Sequence, residues 1–221
     1  MVALMMKKNA YIIILLVLYF LFLCKDHLFG FLDNTESLTS AIYDDKLEYY
    51  KLEYENMQKL LELDYVDYQV TYSKVILRDI YAFYNEIIIG KGSRDGIKIQ
   101  DLVVNELGVV GIVKEVADHS SVVALLTNSD IELSVKINHS YGILTSVDNE
   151  IIVKNVKLDE EIKVGDLVYT SGLTSIPGNI LVGEVKEIRQ DSLGLEYILD
   201  VDAVACLQDI SYVAVLGAIQ S

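Results

Sequence analysis

The groups in this 221-residue sequence best suited to bond-making chemistry are three histidines and one serine: His27, His119, His139, and Ser171 within Thr170-Ser171-Gly172. Serine hydrolysis needs a histidine base, an acid that orients it, and donors for the developing oxyanion. His119 follows Asp118 and precedes Ser120 and Ser121, whereas His139 lies in the turn-like Asn138-His139-Ser140 and His27 stands beside an apolar run. No glycine precedes Ser171 to help build an oxyanion hole. These residues read as loop and turn positions, and no catalytic residue is assigned. No His or Cys pair has metal-ligand spacing, and the carboxylates are scattered, so no metal site is expected. Gly90-x-Gly92-x-x-x-Gly96 has the wrong spacing for a dinucleotide loop and opens no helix, and no cofactor is expected.

The formal net charge of −15, without a basic stripe, excludes nucleic acid as an expected partner, because phosphate binding needs clustered Lys and Arg. Cys24 and Cys206 read as unpaired small hydrophobes rather than a disulfide framework. A lipid on Cys24 is the alternative, but Leu23 stands where a lipoprotein signal wants a small residue.

The elements that would position these residues begin with an anchor. Lys7 and Lys8 precede an uncharged run from Ala10 to Cys24. At 1.5 Å per residue that run reaches roughly 22 Å, short of a ~30 Å hydrocarbon core. Leu28 to Leu32 extends the apolar reach, with Lys25 and Asp26 able to snorkel. No A-x-A-like cleavage site follows, so residues 1–32 are expected to form a retained transmembrane anchor. The lysines place its N-terminus in the cytoplasm, leaving the C-terminal part outside a single-pass cell membrane protein.

From Phe31 to Ile89 there is neither Gly nor Pro, which favours helix. Asp33 and Glu36 fit an N-cap with a box partner. Tyr43, Leu47, Tyr50, Tyr54, Met57 and Leu61 follow alternating spacings of four and three, the seam of a coiled coil, and Asp64 interrupts it. Residues 33–73 are therefore expected to be a dimerisation helix running to about Tyr72. An amphipathic helix lying on its own domain is the alternative.

Beyond residue 74, short Val/Ile/Leu runs alternate with Gly, Asn, Asp and Ser. Strands are expected at 75–77, 86–89, 101–104, 108–116, 121–126, 132–137, 142–147, 151–155, 166–170, 181–188, 196–201 and 212–216. No amphipathic helix lies between consecutive strands, so the class is mainly β, with two small barrels expected at 74–147 and 148–221 and one larger sandwich as the alternative. Val147 to Glu150 is the expected junction, with Asp148-Asn149 as its turn; in composition a hairpin turn reads the same as a domain boundary.

Several of these segments resemble the MreC family of rod shape-determining proteins. Gly90-Lys91-Gly92-Ser93-Arg94-Asp95-Gly96 is similar to that family's loop into its first barrel. Gly108-Val109-Val110-Gly111-Ile112-Val113 resembles its G-x-V-G-x-V strand, and Leu126-Thr127-Asn128 its L-T-D element, with Asn in place of Asp. Gly142-Ile143-Leu144 resembles the next turn and strand. Gly165-Asp166 through Thr170-Ser171-Gly172, then Pro177-Gly178 and Val182-Gly183-Glu184, resemble its second barrel. The sequence departs from the family pattern before Pro177, where Thr174-Ser175-Ile176 carries no aromatic, and in its tyrosine-rich arm.

The resemblance implies two six-stranded barrels, in a chymotrypsin-like arrangement, behind one anchor and one arm. It also implies a non-catalytic scaffold for peptidoglycan elongation that maintains rod shape as a homodimer. The implied partners are MreD, the elongation transpeptidase and its glycosyltransferase, and indirectly the MreB filament. A transport adaptor is a second reading, but adaptors insert a helical hairpin within a split β-domain, and here one arm precedes every strand. A membrane-tethered, chymotrypsin-like serine protease using Ser171 and His119 is a third.

Overall fold

The computed structural model describes residues 15–20, 22, 45–61, 68–78, 85–158, 161–191 and 194–218. The chain forms two compact units, one up to Tyr54 and one from Glu55 onward. In the first unit, residues 15–20, 22 and 45–54 are helical. Among the described residues no helix is long and apolar enough to cross a membrane. Most of the segment expected as an anchor lies outside the described residues, as does Tyr43 of the seam.

Residues 45–61 form one helix. Its expected continuation to about Tyr72 is corrected by the first strand, β1 (Tyr68–Arg78). Tyr68, Val70, Thr71 and Tyr72 are β-formers, and all four pair with a distant strand, so tertiary pairing prevails over the absence of Gly and Pro.

The second unit contains β1 and eleven further strands among the described residues. They are β2 (Glu86–Ile89), β3 (Leu102–Val104), β4 (Val109–Val116), β5 (Ser121–Leu125), β6 (Leu133–Ile137), β7 (Ser140–Val147), β8 (Glu150–Lys157), β9 (Leu167–Thr170), β10 (Leu181–Gln190), β11 (Glu196–Ala203) and β12 (Tyr212–Ala218). Every expected strand is present, with ends shifted by a few residues except at β1.

The strands close two six-stranded barrels, in the orders β1-β12-β3-β4-β5-β2 and β10-β11-β8-β7-β6-β9. This corrects the division at 147/148. β6 and β7 belong to the second barrel, and β12, the last strand, closes the first. Asp148 and Asn149, at φ 53° and 66°, form the two-residue turn of the β7–β8 hairpin, with Val147 paired to Glu150. Two successive positive φ values fit a type I′ hairpin, for which Asp and Asn are well suited.

The barrels repeat one plan. Val110-Gly111-Ile112-Val113-Lys114-Glu115-Val116 matches Val182-Gly183-Glu184-Val185-Lys186-Glu187-Ile188, and Asp101-Leu102-Val103 matches Asp166-Leu167-Val168. Their ladders share a register: Leu102, Val103 and Val104 face Ile112, Gly111 and Val109, while Leu167, Val168 and Tyr169 face Glu184, Gly183 and Leu181. The register shifts at Lys114 in one barrel and at Lys186 in the other. The turns agree as well. The Lys98 N–H donates to Asp101 Oδ2 at 2.8 Å, and the Lys163 N–H donates to Asp166 Oδ2 at 2.8 Å. Gln100 and Gly165 both have positive φ, 70° and 91°. In this correspondence β1–β5 match β7–β11, and β12 matches β6. Each half of the chain therefore gives its sixth strand to the other barrel.

Strand alternation divides the core. Ile87, Ile89, Val103, Val110, Val113, Val123, Leu125, Val213 and Val215 fill the first barrel. The opposite faces of the same strands, at Leu102, Val104, Val109, Ile112, Ala214 and Leu216, join a layer continuous with the second barrel's interior. Leu60, on the 45–61 helix, is 2% exposed and belongs to that layer.

Candidate functional site

The residues singled out from the sequence fall at three structural places. The loop from Gly90 to Gly96 leads from β2 across one end of the first barrel. A Cβ at Gly92 would lie 2.2 Å from the Ala117 carbonyl oxygen, so a side chain is excluded there. Ser93 and Arg94 donate backbone hydrogen bonds to Ala117 and Asp118. Asp95 turns back on the loop, accepting from Lys91 Nζ at 2.7 Å and from the Gly92 N–H at 3.1 Å. Those donors hold its carboxyl below the usual range, the Lys91 hydrogen bond contributing most. Gly96 takes φ 90° to end the turn Ser93–Asp95. At Gly90 a Cβ would lie 3.1 Å from Ile76 Cγ2.

The second place is the joint between barrels. A Cβ on Gly108 would lie 2.3 Å from the Leu181 carbonyl oxygen, so the starts of β4 and β10 meet backbone to backbone. Gly111 and Gly183 face equivalent carbonyls, with a Cβ reaching 2.0 Å from Ala124 O and 2.3 Å from Asp202 O. Leu126, Thr127 and Asn128 open the crossover from β5 into the second barrel. The Leu126 N–H donates to Val110 O, and the Ser146 hydroxyl donates to Thr127 O at 2.9 Å. Asn128, 5% exposed, donates to Asn85 O and Glu86 Oε1 and accepts from the Asp130 N–H. Lys114 Nζ ties the crossover to β2 and β4, at 2.8 Å from Glu86 and 3.0 Å from Asp130. Its pKa is raised, chiefly by the Glu86 hydrogen bond and then by that to Asp130.

The third place is the rim of the second barrel. Asp166 accepts from the Lys163 N–H and from Asn138 Nδ2. The buried Thr170 hydroxyl accepts from the Ile180 N–H at 3.0 Å. Gly172, at φ 70°, packs on Gly178, and Pro177 between them is buried. The Ser171 hydroxyl donates to Ser134 Oγ at 2.8 Å and accepts from the Leu173 N–H at 3.1 Å. Its partners are thus a hydroxyl and a backbone amide. His119 occupies the β4–β5 turn of the first barrel and His139 the β6–β7 hairpin of the second.

Of the seam residues, Leu47, Tyr50, Tyr54 and Leu61 are exposed, and Met57 is half-buried. Leu60, one position from the seam, is the buried one. Sequence reading missed Leu60, because periodicity marks a stripe but not the surface it meets. It also missed Lys114 and its two carboxylates, whose partners lie 28 and 16 residues away.

The geometry defines a class: two closed, internally equivalent barrels that meet backbone to backbone at Gly108 and are preceded by a helix with exposed Leu and Tyr side chains. The family described as "Rod shape-determining protein MreC, barrel core" matches residues 75–217, and the chain belongs to that family of cell shape-determining proteins. It is 30% identical over 159 residues to "Cell shape-determining protein MreC" of Listeria monocytogenes, covering 68% of this chain and 54% of the relative. It is 30% identical over 195 residues to the Bacillus subtilis protein of the same description, covering 79% of this chain and 67% of the relative. The chain therefore spans about half the length of the Listeria relative and two thirds of the Bacillus one. A solved Listeria MreC structure is similar at TM-score 0.66 and 29% identity, over 87% of this chain and 94% of that one. A "Complex between Penicillin-Binding Protein (PBP2) and MreC from Helicobacter pylori", at 20% identity and TM-score 0.55 over 67% of this chain and 99% of that one, shares the fold.

Proposed function

We propose that this chain is a non-catalytic, membrane-anchored scaffold that organises peptidoglycan elongation and thereby maintains rod shape. The observation that carries the reading is the family match across both barrels, residues 75–217. The apolar N-terminal run would hold the protein in the cell membrane, with its N-terminus in the cytoplasm and the barrels outside. Tyr43, Leu47, Tyr50, Tyr54, Met57 and Leu61 would pair two copies. Four of these are exposed in the single chain, which leaves them available for pairing.

The elongation transpeptidase is the proposed partner with the most support, since the Helicobacter structure pairs an MreC with a penicillin-binding protein. MreD, the glycosyltransferase and, indirectly, the MreB filament complete the proposed assembly. Capture would use barrel faces and loops, because closed barrels offer no free strand edge. The engagement of Ser171 by Ser134 supports a structural rather than a nucleophilic role. Among the described residues no long helix lies between strands, which speaks against the adaptor reading.

Depletion in the source organism, followed by microscopy of cell width and labelled new wall, tests the proposal. Widening or rounding with loss of lateral wall insertion is expected. Normal shape with an export or proteolysis defect would overturn it.

A further inference from the structure

Beside the crossover, β4, the segment 130–132 and the loop 174–176 of the second barrel enclose a cleft of about 360 Å³ between the barrels. Its lining has two chemistries. Ile99, 62% exposed, and half-buried Ile176 contribute the accessible aliphatic surface, over buried Ile112 and Ile131, which belong to the apolar layer at the joint. Asp130 and Glu132 stand in the same wall, both exposed. Among the described residues that line it, the one cation is Lys114, already committed to Glu86 and Asp130. The charge left over is therefore negative, in a chain whose net charge is −15.

We infer that this cleft is a docking site for a lysine-type side chain of a protein partner, with the stem on the isoleucines and the ammonium at Glu132, beside the Lys114–Asp130 ion pair. Lysine combines an apolar stem with a charged tip, and both halves find their complement here. A carboxylate-bearing segment would meet uncompensated negative charge. A purely aliphatic side chain would make no use of the Glu132 carboxylate. A second copy of this chain is disfavoured as occupant by its net negative charge. Because the walls come from both barrels, occupancy would also fix one barrel against the other.

The inference extends the scaffold reading by giving the chemistry of one contact, and its test involves no other wall component. The full chain, carrying methyl-labelled isoleucine in lipid nanodiscs, is titrated with the dipeptide acetyl-Ile-Lys-amide. The norleucine and glutamate versions serve as controls. The lysine dipeptide should give saturable shifts at Ile112, Ile131 and Ile176, and the controls should not. Exposed Glu132→Gln should weaken it by about two- to fivefold, as loss of a surface ion pair does, with Ile methyl spectra otherwise unchanged. Added salt should weaken it as well. No saturable shift, equal response to a control dipeptide, or indifference to Glu132→Gln would each overturn the inference. Any of these results is compatible with cells that still round on depletion, so the two readings can fail separately.

Discussion

Leu102 and Leu167 occupy the same place in two copies of one strand, yet Leu102 is fully buried and Leu167 is 41% exposed. The contrast extends along β3, β4 and β12 and their counterparts. Val104, Ile112, Ala214 and Leu216 of the first barrel correspond to Tyr169, Glu184, Lys136 and Asn138 of the second. The first set is buried, and none of the second is. The interiors match: Val103, Val110, Val113 and Val215 correspond to Val168, Val182, Val185 and Ile137, all buried. One scaffold has kept its inside and changed its outside. Packing within a closed barrel fixes the inner residues, whereas the outer ones follow what covers them. In the first barrel that face joins the layer containing Leu60, and in the second it meets solvent.

The comparison can be broken most severely at the exchanged strand. A protein ending at Ser211 loses β12, and with it the partner of both β1 and β3. Amides of β1 and β3 should then exchange hydrogen at solvent-like rates while those of β8 and β11 stay protected. Equal loss of protection in both barrels would show that they fold as one unit. Somewhat smaller is the effect of filling the equivalent close approaches. Gly111→Val and Gly183→Val each drive a side chain into a backbone carbonyl. Each should cost about 3 kcal/mol or more in denaturant melts, and by similar amounts. A tolerated substitution at either position would end the equivalence.

The outer faces should respond unequally. Leu102→Ala should cost about 2–4 kcal/mol, and Leu167→Ala under about 0.5 kcal/mol. Similar losses in thermal unfolding would mean that the second face is covered in solution. The smallest effect is electrostatic. Burial raises the pKa of Asp101, so its charge costs stability once both folded and unfolded forms ionise. Asp101→Asn keeps an acceptor for the Lys98 N–H and removes that cost. It should raise the melting temperature slightly at neutral pH. The gain should fade as pH falls through the raised folded pKa and vanish below the ordinary carboxylate range. A gain independent of pH would refute the burial cause.

Local structure was legible because it has local causes. Alternating Val and Ile with Gly, Asn and Asp at turns marked all twelve strands, and Gly92 and Gly111 proved to be places where a Cβ cannot fit. The Val-Gly-x-Val-Lys-Glu repeat at 110–115 and 182–187 was also readable and would have revealed the equivalent barrels. The site was less legible. Lys114, Asp130, Glu132 and Ile176 share a cleft only because the crossover and a distant loop converge on β4.

The sequence by itself determined the mainly β class, the strand positions, the turns and, through ordered motifs, the family. It also placed a helix with a Leu/Tyr stripe before the barrels. Tertiary contacts were needed to decide that residues 68–78 are strand rather than helix, which stripe neighbour is buried, and which strand closes which barrel. β6 turns Val135 and Ile137 inward, and β12 turns Val213 and Val215 inward. The two patterns are interchangeable, so periodicity cannot choose between neighbouring and exchanged closure. That choice rests on contacts far apart in the chain: the Gly108–Leu181 meeting of backbones, the Lys114 ion pairs and the layer around Leu60.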